Sequence, residues 1–224
     1  MKLGKRGIPI VVAAAAATLF AGGSAFGVAQ NIVAADNTFS VATYTMDQGD
    51  RPTLQNIGFN QHNATASVNG PDGQPLFSSP TIGTGFTTLS GTQYLTTGSY
   101  TFICTIHPTT MIATLAVSAN GVPVSRPTLA LKLLSKKLKK VLKNGLLVRM
   151  VVGTKADEMT LEARLGKKLI GKVADISQAT GTSFIRVKLN KAGKKKLRKR
   201  KTAKISLSGT VPYGAPATSR GKLK

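Results

Sequence analysis

Residues 100–111, Tyr-Thr-Phe-Ile-Cys-Thr-Ile-His-Pro-Thr-Thr-Met, are the stretch that decides how the first half of this chain folds. Side chains alternate between the two faces of a β-strand, so every second residue points the same way. If Phe102 faces the core, the sulfur of Cys104 faces it too. The alternation predicts a strand with one face formed by Tyr100, Phe102, Cys104 and Ile106.

Two further side chains with metal-binding atoms follow on the loop after this strand. His107 comes three residues after Cys104, and Met111 follows four residues later. Met111 has the same parity as three apolar residues of the next predicted strand, which directs its thioether inward. Those residues are Ala113, Leu115 and Val117.

A thiolate, an imidazole and a thioether on one loop are ligands for a soft metal. Two imidazoles and a thiolate, with a distant axial Met, define the blue-copper electron-transfer centre. The chain has one other histidine, His62, so all its histidines and its single cysteine fit one site. Each residue alone is more often structural, and the prediction depends on the combination. Zinc is a weaker candidate because its structural sites favour more thiolates and no thioether.

With these motifs the sequence resembles the cupredoxins, the group of plastocyanin, pseudoazurin and amicyanin. The resemblance covers residues 34–117 and rests on Tyr-x-Phe-x-Cys-x-x-His-x-x-x-Met and the upstream pair His62-Asn63. It implies a Greek-key β-sandwich holding one type 1 copper that cycles between Cu(I) and Cu(II). It also implies that Asn63 hydrogen-bonds near the thiolate and ties the two ligand loops together.

The resemblance further implies that His107 lies near the surface and provides the electron path, with Ile106 and Pro108 among the apolar groups around it. Three residues separate His107 from Met111, more than in amicyanin-like loops and fewer than in plastocyanin-like ones. A shifted axial contact would change the reduction potential more than it changes copper binding. Copper enzymes need additional histidines for further copper ions, and this chain has none besides His62 and His107. We therefore expect an electron carrier and not an enzyme.

The first 29 residues have the pattern of an export signal. Lys2, Lys5 and Arg6 precede an apolar stretch at 8–20, and small residues follow, with cleavage near Ala25 or Ala29. The alternative is an uncleaved membrane anchor, since residues 8–29 are just long enough to span a bilayer. Export predicts a secreted, extracytoplasmic protein, where a lone thiol needs burial or a metal to escape oxidation.

The charges divide the remaining chain into two parts. Residues 30–125 contain four acids and one base, whereas residues 126–224 contain 27 bases and four acids. We predict a cupredoxin domain at 30–119, a linker at 120–127, a basic domain at 128–212 and a flexible tail at 213–224.

Both domains are predicted to be mainly β. Short apolar runs between turn residues indicate strands, and two lysine-rich stretches have helical spacing, residues 135–143 and 191–201. The fold class is a cupredoxin sandwich followed by a basic, immunoglobulin-like sandwich with short helices. The predicted strands are residues 39–46, 56–59, 64–68, 100–106, 112–117, 146–152, 159–165, 183–189 and 203–211.

The basic half resembles Lys-rich β-sandwich modules of exported actinobacterial proteins, through Leu-Ser-Lys-Lys-Leu-Lys at 134–139 and Leu-Asn-Lys-Ala-Gly-Lys-Lys-Lys-Leu at 189–197. Its charge suits an anionic cell-wall polymer or membrane surface. Nucleic acid is disfavoured, because no recognition motif and few aromatic residues accompany the lysines. We expect an electron carrier at the cell envelope with unidentified redox partner proteins; a copper-buffering protein and a merely solvated basic module are the alternatives.

Overall fold

The computed structural model describes residues 30–224, and these form two β-sandwiches in sequence. The predicted export signal, residues 1–29, lies outside the described residues. The last strand of the first sandwich ends at Ser118, and the first strand of the second begins at Leu129. The mainly β fold class predicted from the sequence is confirmed.

The first domain consists of eight strands in two four-stranded sheets. One sheet has the order β2-β1-β4-β6 and the other β3-β8-β7-β5, with β1 parallel to β4 and β3 parallel to β8. The strands are β1 (Ile32–Ala35), β2 (Thr38–Phe39), β3 (Thr43–Asp47), β4 (Thr53–Asn56), β5 (Thr65–Ala66), β6 (Gly85–Thr88), β7 (Gly98–Ile103) and β8 (Ile112–Ser118).

Aromatic side chains fill the space between these two sheets. Phe102 is fully buried at the centre, and its ring lies 4.9 Å from that of Phe39 and 6.1 Å from those of Tyr44 and Phe77, measured between centroids. Along β8, buried and more exposed residues alternate as the period of two predicts. This packing fixes β7 and β8, the two strands that flank the predicted copper loop.

The second domain has seven strands in two sheets and two short helices. The sheets have the orders β13-β10-β9 and β12-β11-β14-β15 and share an apolar core. The elements are β9 (Leu129–Leu133), α1 (Leu138–Asn144), β10 (Leu146–Val152), β11 (Ala156–Leu165), β12 (Lys168–Gln178), β13 (Gly181–Val187), α2 (Lys191–Arg198), β14 (Ala203–Thr210) and β15 (Ala217–Leu223).

Three local predictions are wrong. The predicted strand at 39–46 is two strands, β2 and β3, because the chain bends at residues 40–42. Residues 57–59 are not a strand, because Asn56 ends β4 and its side-chain oxygen accepts a hydrogen bond from the Gly58 N–H, which turns the chain. The predicted flexible tail contains β15, which pairs along its length with β14 and buries Leu223. Its backbone hydrogen bonds, rather than its mostly polar side chains, hold it there.

The two sandwiches contact each other around Tyr213. Its backbone N–H donates to Oδ2 of Asp72 at 2.6 Å, and its ring lies 5.7 Å from that of Tyr94. Gly91 leaves room for this ring, since a Cβ there would lie 2.6 Å from the nearest ring carbon. Arg126 donates to the Tyr213 carbonyl at 3.1 Å. The contact thus involves both domains and the connecting segment.

None of the helices within residues 30–224 combines the length and the hydropathy that crossing a membrane requires.

Candidate metal centre

Three side chains with metal-binding atoms meet at one end of the first sandwich. Cys104 follows the last residue of β7, and its Sγ lies 3.8 Å from Nδ1 of His62 and 3.8 Å from Nδ1 of His107. The three ligand atoms all lie within 4.8 Å of one another. Cys104 and His62 are fully buried. The structure therefore brings together three side chains that are 42 and three residues apart in sequence.

Backbone hydrogen bonds close the loop between β7 and β8. The His107 N–H donates to the Cys104 carbonyl at 3.2 Å, and the Met111 N–H donates to the His107 carbonyl at 2.9 Å. The Cys104 N–H in turn donates to the Met111 carbonyl at 3.1 Å. Met111 is fully buried and has the parity of the buried residues of β8. These bonds hold three of the four predicted ligands in one compact turn.

His62 reaches the site from a separate segment. It forms an antiparallel bridge with Ile82 through two backbone hydrogen bonds of 2.9 Å. The buried amide of Asn56 donates to the carbonyls of Asn60 and Ile82 and accepts from Gly58, which fixes the preceding turn. The sequence analysis missed this supporting role of Asn56. The pattern Asn-x-Gly at 56–58 was its signal, because asparagine often bonds the backbone two residues on.

Asn63 connects the two ligand segments directly. Its Oδ1 accepts from the Thr105 N–H at 2.8 Å, and its Nδ2 donates to the Thr105 hydroxyl at 2.7 Å and to the Thr81 hydroxyl at 2.9 Å. Thr105 immediately follows Cys104, so these bonds hold the position of the cysteine relative to His62. The roles of Thr81 and Thr105 have no sequence signal of their own.

The protonation state of His62 suits a metal ligand. Burial lowers the pKa of His62, and the neighbouring His107 lowers it further, although Asp36 acts in the opposite direction. The imidazole is therefore neutral at neutral pH, which is the form that binds metals. Within residues 30–224 its buried Nε2 has no hydrogen-bond partner, whereas Nδ1 faces the thiol.

The donor set fits one type 1 copper. Two imidazole nitrogens and one thiol sulfur would hold such a copper ion, and a buried methionine ends the same loop. No second thiol is present for a structural zinc site, because Cys104 is the single cysteine. The residues present match the cofactor predicted from the sequence.

The site reaches the surface through the loop that contains His107. The ring of His107 is half-buried, Pro108 is exposed and Ile106 is 45% exposed. The alternation that predicted Ile106 on the core face therefore stops early, because β7 ends at Ile103 and the chain turns at Cys104. Ile106 instead lies with Pro108 on the outside of the copper loop.

Comparison with known proteins finds similar solved structures. No family model and no curated protein matches the chain. A reduced amicyanin variant is 22% identical with a TM-score of 0.34, and the match covers 40% of this chain and 82% of amicyanin. A purple cupredoxin from Nitrosopumilus maritimus is 24% identical with a TM-score of 0.29, covering 36% of this chain and 82% of that protein.

The first domain combines a two-sheet fold with one cluster of candidate metal ligands. Its two sheets place a buried thiol beside two imidazoles from separate segments, and the second imidazole is on the loop that ends in a buried methionine. The first domain is therefore a two-sheet β-sandwich that carries the donor set predicted from the sequence for one type 1 copper.

Proposed function

We propose that this protein is an exported electron carrier that transfers single electrons through one type 1 copper. The observation that carries the proposal is the cluster of His62, Cys104 and His107, in which both Nδ1 atoms lie 3.8 Å from the thiol sulfur. The copper, when bound, supplies the Cu(I)/Cu(II) couple. The remaining contribution is made by the protein, which sets the positions of the ligands.

The ligand positions are constrained before any metal binds. Asn63 joins the His62 segment to the Cys104 loop through two hydrogen bonds to Thr105, and the loop is closed by its own backbone bonds. A ligand set held by packing and hydrogen bonds moves little when the charge of the metal changes. Small movement favours fast electron transfer, so these contacts support a redox role over simple copper storage.

The half-buried ring of His107 provides the route for the electron. Cys104 and His62 are shielded from solvent, whereas His107 lies in the loop whose outer side presents Ile106 and Pro108. An apolar surface around an accessible ligand permits brief contact with a partner protein without a large interface.

The residue inventory supports electron transfer and opposes a second copper centre. The whole chain has two histidines and one cysteine, and all three belong to the cluster. A multicopper oxidase or a nitrite reductase would require further imidazoles. The protein is therefore proposed to be a carrier rather than an enzyme.

The basic domain is proposed to hold the carrier at the cell envelope. Residues 126–224 contain 27 bases and four acids, whereas residues 30–125 contain one base and four acids. The positively charged second domain can bind an anionic surface, whereas the negatively charged first domain is not attracted to that surface. Export and envelope attachment are both parts of the proposal.

The test is the visible absorption and electron paramagnetic resonance spectrum of the Cu(II)-loaded mature protein, beside Cys104→Ser. We expect an intense thiolate-to-copper band and narrow copper hyperfine splitting, both lost in the variant. Reversible reduction and fast self-exchange would then separate a carrier from a copper-buffering protein. A colourless protein, or a spectrum that does not depend on Cys104, would refute the type 1 centre. The observed fold would stand, but the proposed electron-transfer function would not.

A further inference from the structure

Thirteen of the bases of the second domain lie in two short segments, residues 136–144 and 191–201. Each segment contains one helix, neither contains an acid, and all thirteen basic side chains are exposed. Within residues 30–224 the single ion pair joins Arg164 to Glu162, outside both segments. The two segments therefore concentrate positive charge that the described chain does not neutralise.

The packing of the two helices directs this charge outward. In α2 the buried residues are Gly193 and Leu197, and a Cβ at position 193 would lie 2.7 Å from Cβ of Ile170. The helix is therefore seated directly on β12, and its other sides carry the cations. In α1 the buried residues are Leu138 and Val141. Because α1 and α2 contact each other, they form one continuous surface, which we call the lysine-helix surface.

The arrangement of charge on α2 is unfavourable for the isolated helix. Like charges lie four residues apart at Lys191 and Lys195 and at Lys194 and Arg198, and such pairs repel each other on a helix. The first turn contains no acid to offset the positive end of the helix dipole. A bound polyanion would relieve both effects. The helix is thus better suited to the bound state than to the free state.

The lysine-helix surface lies at the opposite end of the molecule from the copper centre. In the first domain, β8 runs from Ile112, next to Met111, to Ser118 at the linker, a length of roughly 20 Å. In the second domain, β14 runs from Ala203, just after the α2 segment, to Thr210 near the Tyr213 contact. The copper, the domain contact and the lysine-helix surface therefore follow one another along the molecule.

Four other charges of the second domain are distributed unevenly between its two ends. Asp157 and Glu158 lie at the start of β11, the end near the domain contact. Lys167 and Lys168 lie at the opposite end, where β11 turns into β12. These four charges favour the approach of a polyanion to the outer end of the domain over the inner end, where Lys155 and Arg126 accompany the two acids.

The composition of the surface selects among anionic partners. Its large apolar residues are buried (Leu138, Val141 and Leu197) or packed against the domain core (Leu142), so none projects outward to insert into a bilayer. Neither segment contains an aromatic residue on which a nucleic-acid base could stack. What remains is a row of cations, which matches the evenly spaced charges of a linear polymer.

We propose that the lysine-helix surface binds a linear phosphate polymer and thereby holds the copper end of the molecule away from it. The inference rests on the proposed attachment to the envelope and names the surface and the chemistry of its partner. It does not depend on electron transfer, because binding can be measured without reference to the copper spectrum.

The test is titration of the copper-loaded mature protein with long-chain inorganic polyphosphate at several salt concentrations. The test variant replaces Lys194, Lys195, Arg198 and Lys199 by Gln. The control variant removes the same charge elsewhere in the domain, through Lys132→Gln, Arg149→Gln, Lys155→Gln and Lys172→Gln. Thermal unfolding and the copper spectrum establish that both variants are folded.

We expect the test variant to lose about tenfold or more in affinity and to show a smaller salt dependence, since fewer cations contact the polymer. The control variant should lose about threefold in affinity at most, because it lowers only the net positive charge of the domain and removes no cation from the lysine-helix surface. Equal losses in both variants would overturn the proposal in favour of diffuse attraction. Tighter binding to anionic phospholipid vesicles or to single-stranded DNA than to polyphosphate, lost in the test variant, would also overturn it.

Discussion

The backbone N–H of Tyr213 donates a hydrogen bond of 2.6 Å to Oδ2 of Asp72, and this bond joins residues 141 positions apart in two different domains. Tyr213 has a φ of +62°, a conformation that residues other than glycine rarely adopt. Its ring contacts Tyr94 and occupies the space above Gly91. A strained backbone held by contacts on both sides indicates that the relative orientation of the domains is defined rather than free.

Replacing Tyr213 by Ala should uncouple the two domains without unfolding either. The variant loses the ring contacts with Tyr94 and Gly91 but keeps the strained backbone, and we expect a cost of about 1–3 kcal/mol in the stability of the contact. Small-angle scattering should show a broader distribution of shapes, and proteases should cleave the segment 120–127 faster. The control is Tyr100→Ala, since the Tyr100 hydroxyl bonds Thr96 within the first domain. An unchanged scattering profile of the Tyr213 variant would contradict the defined orientation.

The domain contact should weaken at high pH. Burial raises the pKa of Tyr213 above its ordinary value of 10.0; Ser90 opposes the shift, and Asp72 and Glu158 add to it. Because the phenol is neutral in the folded state and ionises more readily when released, stability is fully present below pH 10 and declines as pH rises through the folded pKa. Unfolding experiments between pH 8 and about 12 should show this decline in the wild type and a smaller one in Tyr213→Phe. If the wild type and Tyr213→Phe had the same dependence of stability on pH, the decline could not be attributed to the phenol of Tyr213.

Asn63 should matter to the copper centre although it is not one of the predicted ligands. Asn63→Ala removes hydrogen bonds to Thr105 and Thr81 and leaves the Thr105 N–H without its side-chain partner. We expect a loss of about 1–3 kcal/mol in stability, together with a shifted absorption band and a changed reduction potential. The control is Thr109→Ala on the exposed side of the same loop. If both variants had the wild-type potential, the connection between the ligand loops would have no influence on the copper.

Met111 is predicted to be the axial ligand, and a near-isosteric replacement tests this without disturbing the core. Met111→Leu keeps the apolar volume of a fully buried site, so the cost in stability should stay below about 1.5 kcal/mol. Losing the thioether donor should favour Cu(I) and raise the reduction potential, while the thiolate band remains. Voltammetry of the two proteins measures the difference. The same potential in both would show that the sulfur of Met111 does not act on the copper.

The parts of the structure that the sequence predicted are those whose residues carry a strong local pattern. The copper loop was predictable because few residue types bind copper, and Cys104, His107 and Met111 occur within eight positions. The strand β10 was predicted with its observed bounds, since its residues alternate between a buried face and a more exposed one.

Other strands depend on their neighbours and have no such pattern. The seven residues of β15 include Ser, Thr, Arg, Gly and Lys and read as a tail, but β14 offers an edge with which they pair. The strand β12 was missed because its register with β11 shifts at three places, which interrupts the alternation of its side chains. In both cases the determining information lies in the partner strand.

The seating of α2 depends on the absence of a side chain at Gly193. A Cβ at this position would lie 2.7 Å from Cβ and 2.8 Å from the carbonyl oxygen of Ile170, so Gly193→Ala must push the helix away from β12. We expect a loss of about 1–3 kcal/mol, although alanine is the better helix former at an unhindered position. Chemical denaturation of the second domain measures the loss, with Lys196→Ala on the exposed side of the same helix as the control for helix propensity. A variant as stable as the wild type would show that the helix can shift freely, and the lysine-helix surface would then lack the fixed geometry inferred from its packing.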